Sequence, residues 1–389
     1  MSQDLSTIMP KILARALMTL RQRAIMPRLV NGDYSQEASQ KGNTINVPVP
    51  TAVTVSDVTP SQVPPAGTGA TPGVVQIVLS HWRKNDPFYM TDKDMLETDA
   101  NAYFVPMQVG EAIKGLAADF NASIHALHTG VYGYVGTAGT APFGSIAKTT
   151  DVANARKVLN QQLAPRTDRR MVLDFNAEAS ALALPELTSA EKIGDNQVVI
   201  EGEIGRKFGF DWYADDQVAT HTAGTITTSL ISKAATAYAV GVTTLLATTA
   251  ASTGACALVV GDIITFAGDN QTYVLTAAAT QASAATDVTL TFQPPLKVAH
   301  VGSEAVTVKA THVVNLAFHR DAFAFATRPL ASVSGEFALG SKIMTMQDPV
   351  TGLVLRLEVS RQYKQVAWEF DILWGVTLVR PELACRIAG

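Results

Sequence analysis

Between residues 102 and 130 the apolar side chains Val109, Ile113, Leu116, Phe120, Ile124 and Leu127 recur at steps of three and four. That spacing places all six on one face of a long helix. Glu111, Lys114, Asp119 and Asn121 surround the stripe, and Gly130 stands where a glycine ends a helix. Pro106 fits only in the first turn, because deeper in it would remove a hydrogen bond and clash with the turn before it. The segment N-terminal to this helix reads as an arm and a hairpin. The segment C-terminal to it reads as a compact mixed body, with Phe120 and Ile124 of the helix among its core anchors.

A second strong pattern lies near the C-terminus. Leu353, Leu355, Leu357 and Val359 alternate with Arg356 and Glu358, and Val366, Trp368, Phe370, Ile372, Trp374 and Val376 alternate with Glu369 and Asp371. Period two over such runs describes long, half-buried strands, here parted by Ser360-Arg361-Gln362-Tyr363. The face carrying Trp368, Phe370 and Trp374, three further core anchors, is expected to pack on the central helix.

Residues 6–26 form an amphipathic helix, with Ile8, Ile12, Ala16, Leu20 and Ala24 on one stripe, Pro10 in its first turn and Pro27 at its end. Over residues 1–32 the bases Lys11, Arg15, Arg21, Arg23 and Arg28 face the single acid Asp4. Such a helix suits a membrane surface, an acidic partner or nucleic acid, or it is solvated on its charged face. Residues 31–44 read as an extended arm. Ile45, Val47 and Val49 then alternate in one strand, and Val75, Ile77, Leu79 and His81 in another. Pro60, Pro64, Pro65, Gly67, Gly69, Pro72 and Gly73 punctuate the connection, which cannot hold regular structure. A long hairpin with a nearly uncharged tip needs something to lie against, and a neighbouring subunit would serve.

Thr91-Asp92-Lys93-Asp94 has the form of a helix start. Asp92 and Asp94 lack the loop glycine and distal glutamate of a calcium site. The glycine-rich segment 130–144 reads as a linker without a phosphate-loop lysine. Residues 151–163 form a helix (Val152, Ala155, Val158, Leu159, Leu163) stopped by Pro165; Arg170 to Phe175 is a strand, Asn176 to Leu184 a short helix, and Gly202 to Tyr213 a loop leading into a strand. This alternation is a mixed α/β layer.

The composition changes at about residue 222. From Thr222 to Ser303 the charged residues are Lys233, Asp262, Asp269, Asp287 and Lys297, amid Ala, Thr and Val. Leu245–Thr248, Ile263–Phe266, Thr272–Thr276, Val288–Phe292 and Ala305–Val308 are expected strands, and short strands with turns such as Gly268-Asp269-Asn270 make an inserted small closed barrel or sandwich. After it, Val314, Leu316 and Phe318 form a strand, and Asp321 to Thr327 a short helix.

Catalytic patterns are missing: there is no nucleophile elbow, zinc-protease pair or dinucleotide fingerprint. His125 and His128 are three apart, but no third ligand is near in sequence, so a packed or hydrogen-bonded pair is expected; His312 and His319 flank a strand. Glu186, Glu191 and Asp195 are expected on a solvated surface. No catalytic, cofactor-binding or metal residue is therefore assigned, and the chain is not expected to be an enzyme. The net charge of −4 argues against a protein that coats phosphate backbones. Only 16% of residues are charged, which hints at surface covered by partners. Cys256 and Cys385 are too few for a disulfide scaffold, and no apolar run reaches a membrane span. The expectation is therefore synthesis in a cytoplasm, with no membrane partner.

The order of basic helix, arm, long hairpin, long helix, mixed layer with a β insertion and closing strands resembles the tailed-bacteriophage major capsid fold of the Hong Kong ninety-seven type. The nearest likeness is to its coat-protein subgroup with an inserted β-barrel, the Salmonella podovirus type. Locally the likeness rests on Gly261-Asp262-Ile263-Ile264-Thr265-Phe266-Ala267-Gly268, on Asn315-Leu316-Ala317-Phe318-His319-Arg320-Asp321, and on the ending from Gly375-Val376 to Arg380-Pro381-Glu382. The resemblance implies an α+β capsid fold: N-terminal helix and arm (1–44), extended loop (45–90), spine helix and peripheral domain (91–164), axial domain (165–221 and 309–340), inserted barrel (222–308), and peripheral long strands with the C-terminus (341–389).

It also implies self-assembly into hexamers and pentamers of an icosahedral virion head, with a scaffolding protein and a portal, around double-stranded DNA held without sequence preference. Val63, Pro64, Pro65, Gly67, Gly69 and Pro72 would be intersubunit contacts, and Lys11, Arg15, Arg21 and Arg23 would meet the scaffold. The family's cross-link uses a lysine on the extended loop, whereas residues 50–80 contain none, so a noncovalent shell is expected. An encapsulin-like compartment and a β-rich surface binding protein are the alternatives.

Overall fold

The computed structural model describes residues 5–34, 42–51, 53, 55, 57–58, 60, 71–93, 104–144, 149–188, 202–226, 229–233, 237–249, 255–281, 287–330 and 341–389, without the side chains of 5–8, 11 and 104–107. The chain packs as two units. One comprises Met1–Gln22, Asn31–Leu116 and Phe323–Val379, and the other Arg23–Val30, Ala117–Ala322 and Arg380–Gly389.

In the first unit the period-two run becomes a 14-residue strand, Gln365–Leu378. One edge pairs with Val354–Gln362, which pairs in turn with Lys342–Gln347. Beyond Val354–Gln362 the same edge is taken up by Phe323–Thr327, while Phe88–Thr91 and His81–Lys84 lie end to end along the other edge, so that Trp374 pairs with Thr327 on one side and His81 on the other. Three segments here depart from the sequence expectation. His81, expected to end the strand through Val75, Ile77 and Leu79, instead opens a separate strand after that one stops at Val78, and Phe88–Thr91 forms another. Phe323–Thr327 is a strand, because Phe-Ala-Phe-Ala alternates at period two and the helix-forming tendency of alanine yields to that pattern. Ser360 to Gln362 continue the strand, so the hairpin turns only at Tyr363 and Lys364, with Lys364 at φ 55°. Trp368, Phe370 and Trp374 are buried. The two indoles stack on Phe88 and His81 from the strands alongside, at centroid distances of 6.2 and 5.8 Å.

The N-terminal helix spans Leu5–Arg23, with Ile12, Leu13, Ala16, Leu17 and Leu20 buried. The hairpin pairs Thr44–Val49 with Gly73–Val78, from Thr44↔Val78 to Val49↔Gly73. Its buried face, Ile45, Val47 and Ile77, packs with Leu79, Ala324, Ala326 and Val379.

The central helix spans Phe104–His125 and tightens into a 3₁₀ turn, Ala126–Gly130, so the α-helix stops earlier than its periodicity predicts. Val109, Ile113, Leu116, Phe120 and Ile124 are buried, whereas Leu127 on the 3₁₀ turn is half-buried. In the second unit a sheet runs in the order Gly133–Gly136, Ala384–Ala388, His312–His319, Arg169–Leu173, Phe210–Ala214 and Arg206–Lys207, with Thr220–His221 paired to the start of His312–His319. Gly133–Gly136 corrects the reading of 130–144 as a pure linker. Gly133 allows the edge to form, since a Cβ there would meet the Ala384 carbonyl at 2.9 Å. Helices Thr150–Gln161 and Phe175–Leu182 flank the strands, the latter capped by Asp174, which accepts from the Asn176 and Ala177 amides. Leu163, expected inside the first of these helices, is exposed at φ 60°.

The insertion is a closed barrel of six strands in the order Leu230–Ser232, Thr244–Thr249, Val288–Gln293, Tyr273–Leu275, Ile263–Phe266 and Ala305–Val308. Alternate residues of these strands face inward and build a core around Leu245, Phe266, Tyr273, Leu290 and Phe292. All five strands expected in this region are present. Leu230–Ser232 and a three-stranded sheet, Thr225–Ile226, Cys256–Leu258 and Ala279–Gln281, were not foreseen.

Candidate functional site

The loop residues expected at an intersubunit contact fall mostly outside the described residues: this applies to Val63, Pro64, Pro65, Gly67 and Gly69. Pro72 is described and exposed. Beside it the hairpin presents Val53, Val55 and Val58 to solvent, with Val55 97% exposed. Three bare valines so exposed gain nothing in water and are suited to burial against another surface.

On the N-terminal helix Arg15 and Arg23 are exposed, and the side chain of Lys11 lies outside the described residues. Arg21 instead donates through Nε to Asp348 at 2.5 Å. Burial alone would raise the Asp348 carboxyl, but hydrogen bonds from Thr351 and Arg21 outweigh it and hold the group below the usual carboxylate range. Arg21 therefore fastens the helix within its own unit. Of the acids assigned to a solvated surface, Glu186 is exposed, and Glu191 and Asp195 lie outside the described residues.

The most concentrated polar chemistry is buried in the second unit, where the barrel joins the sheet. His125 and His128 do not converge. His125 Nε2 lies 3.2 Å from Asp215 Oδ2, while His128 donates from Nδ1 to the His125 carbonyl at 2.8 Å and turns Nε2 toward His221 Nδ1 at 3.4 Å. His221 Nε2 donates to Asp262 Oδ1 at 2.9 Å. Asp262, fully buried, also accepts from the amides of Val259 at 2.9 Å and Gly224 at 3.2 Å. Arg386, also fully buried, donates to the Gly261 carbonyl at 2.9 Å. His312 donates to the Ala310 carbonyl at 2.7 Å and meets Tyr134 edge to face.

Sequence reasoning flagged His125, His128 and His312 but missed Asp215, His221, Asp262 and Arg386, which arrive from distant segments. Among the described residues no cluster of three metal-binding side chains exists. The arrangement acts as a structural clasp, because its hydrogen bonds run between segments of the fold and tie the barrel to the sheet.

The clasp carries a pH dependence. Burial, then the charge of Arg386, pushes the His128 imidazole down to about 4, and burial does the same to His312. The unfolded chain takes up these protons near the ordinary histidine value, whereas the folded chain resists until about pH 4. Stability is therefore complete above pH 6.5 and is lost as pH falls from there toward 4, by on the order of 3 kcal/mol for one ring and less than twice that for two rings sharing His221. Urea midpoints at pH 7.5 and 4.5 check this, and equal midpoints would remove the burial account.

No protein-family model and no curated protein matches this chain. Solved structures do share its fold. A structure from Mycobacterium phage Che8 aligns with TM-score 0.52 over 94% of this chain and 91% of that one, at 15% identity. The capsid of cyanophage P-SCSP1u aligns at TM-score 0.46 and 12% identity, over 90% of this chain and 84% of that one. The mature capsid of bacteriophage PhiM1 aligns at TM-score 0.45 and 10% identity, over 89% and 82%. The chain shares its fold with the Che8 phage structure, here built of mixed sheets, helices and one closed six-stranded barrel.

Proposed function

We propose that this chain is the major structural subunit of an icosahedral phage head, assembling through hexamers and pentamers around double-stranded DNA, with a scaffolding protein and a portal as partners. The observation that carries this reading is the alignment of nearly the whole chain with the Che8 phage structure. In this reading the hairpin with its exposed valines is the extended loop, Phe104–His125 the spine helix, the long strands the peripheral domain, the second unit's sheet the axial domain, and the barrel a domain inserted into it. Val63, Pro64, Pro65, Gly67, Gly69 and Pro72 would lie against a neighbour. Arg15 and Arg23 are the bases on the N-terminal helix best suited to a scaffold, since Arg21 is engaged internally. The lysine-free loop points to a shell held without covalent cross-links.

The chain, expressed alone and with its scaffolding protein, is expected to give closed particles tens of nanometres across by light scattering and negative-stain microscopy. Nucleic acid as the natural content would separate a head from an enzyme-filled compartment. A stable monomer under every condition would overturn the proposal.

A further inference from the structure

Two depressions beside strand Phe210–Ala214 of the second unit's sheet carry opposite, unneutralised charge. The first, about 550 Å³, lies between helix Thr150–Gln161 and the turn that follows Arg206–Lys207. Arg156, Lys157, Asn160 and Gln161 line it, at spacings that make them neighbours on one helix face. Asn160 accepts from Arg169 through Oδ1 at 2.8 Å, so its amino group is the end left for the depression. No carboxylate lines this site, and Lys157 has no acidic partner among the described residues.

The opposite wall is Phe208, 42% exposed. Phe208 and Gly209, at φ 53° and 85°, form the two-residue turn between paired strands. Asparagine is the usual first residue of such a turn, and a bulky side chain held there costs about 1 kcal/mol. Arg156 clamps the strained turn by donating to the Phe208 carbonyl at 3.1 Å. Strain kept at an exposed ring marks a place where the ring is used.

The second depression, about 230 Å³, contains Glu178, Glu203 and Tyr213, with no lysine or arginine in its lining. Neither glutamate has a basic partner among the described residues, and burial holds the Glu178 carboxyl above the usual range. A half-buried carboxylate without a cation is poorly stabilised in the isolated chain. The two sites stand toward opposite ends of strand Phe210–Ala214, about 13 Å apart along its course.

We propose that the Arg156–Lys157 depression of one copy receives the Glu178–Glu203 surface of the next, giving a head-to-tail contact that closes into rings. The inference rests on the shell reading, which supplies the second copy as occupant. It adds which surfaces meet and why the contact is heterologous: each subunit offers a donor site and an acceptor site at different places, so every copy uses both with different neighbours.

Charge reversal on each side tests it. R156E/K157E and E178K/E203K should each fold, by circular dichroism and melting, yet associate at least about a hundredfold more weakly than the unaltered chain, since each creates like-charge contacts at every junction. Mixed in equal amounts, the two should recover association, but only in strictly alternating rings. Six-membered rings can alternate and five-membered rings cannot, so the mixture should yield hexamers, sheets or tubes and no closed shells.

Assembly of either variant alone at the unaltered yield, or a mixture of two folded variants that fails to recover, overturns the inference while leaving the shell reading standing. Should a reversal variant not fold, R156Q/K157Q replaces it, with association at least tenfold weaker and less sensitive to salt as the expected result. Equal association of R156Q/K157Q and the unaltered chain, at both 50 and 500 mM salt, is overturning as well. An unaltered chain that never assembles defeats the shell reading itself, and a closed twofold dimer as its only product defeats the head-to-tail contact.

Discussion

Replacing Asp262 by alanine is expected to cost about 3 kcal/mol or more and to loosen the barrel before the rest of its unit. The carboxylate accepts from His221, Val259 and Gly224 in a fully buried position, and truncation leaves all three donors without a partner. Each orphaned donor costs about 1–3 kcal/mol. The charge of Asp262 also favours the charged form of Arg386 across the clasp, without a direct ion pair, where burial already pulls the guanidinium down to about 9. Loss of that nearby negative charge leaves the buried guanidinium less well stabilised and adds to the cost. Hydrogen exchange should show barrel amides losing protection while the strand Arg169–Leu173 keeps its own. A loss of less than about 1 kcal/mol in urea unfolding would refute this account of the clasp.

Gly375→Ala is expected to have the largest effect in the first unit. A Cβ at this position would lie 2.3 Å from the Val78 carbonyl oxygen, 2.8 Å from its carbon and 3.1 Å from Leu79 Cα. All three are backbone atoms, so no side chain can swing aside. The hairpin base must move off the long strand, at a cost of about 3 kcal/mol. Hydrogen exchange at Thr44–Val49 and Gly73–Val78 should rise sharply while the hairpin Val354–Gln362/Gln365–Leu378 stays protected. Gly110→Ala is the control: it sits in the central helix with open space around its Cβ, and should stabilise by about 0.5–1 kcal/mol. Similar behaviour of the two variants would show that the close approach at Gly375 is not what seats the hairpin.

Both sites show where sequence reasoning ran out. The long strands, the central helix and five of the barrel strands were legible because each announces itself by a local period of side chains. Phe323–Thr327 was misread because a run as short as Phe-Ala-Phe-Ala-Thr suits either period, and pairing with Trp374–Leu378 decided the outcome. Gly133–Gly136 and Ala384–Ala388 were missed for a similar reason: each is four or five residues long, with little polar alternation, and is fixed by the strand beside it. The clasp was illegible as a unit. His221, Asp262 and Arg386 are 41 and 124 residues apart in sequence, and only the closure of the barrel onto the sheet makes them neighbours. The Phe208-Gly209 turn could have been suspected from its glycine, but nothing local predicts that Phe208 adopts a left-handed conformation.

The pairing of Thr220–His221 with His312–Val313 has an architectural consequence. The chain departs for the barrel and comes back through facing residues of two antiparallel strands, whose Cα atoms are about 5 Å apart. The whole insertion can thus be lifted out and the gap closed by a tight turn, or another domain with adjacent ends can be spliced into the same port. Such a cassette is not free of conditions, because the port holds a buried guanidinium. A replacement must supply a carbonyl to Arg386, as Gly261 does, with a carboxylate close enough to favour its charge, as Asp262 is, or the arginine must give way to an apolar residue such as methionine. Exchange of this module is then governed by one buried charge at the base of the port.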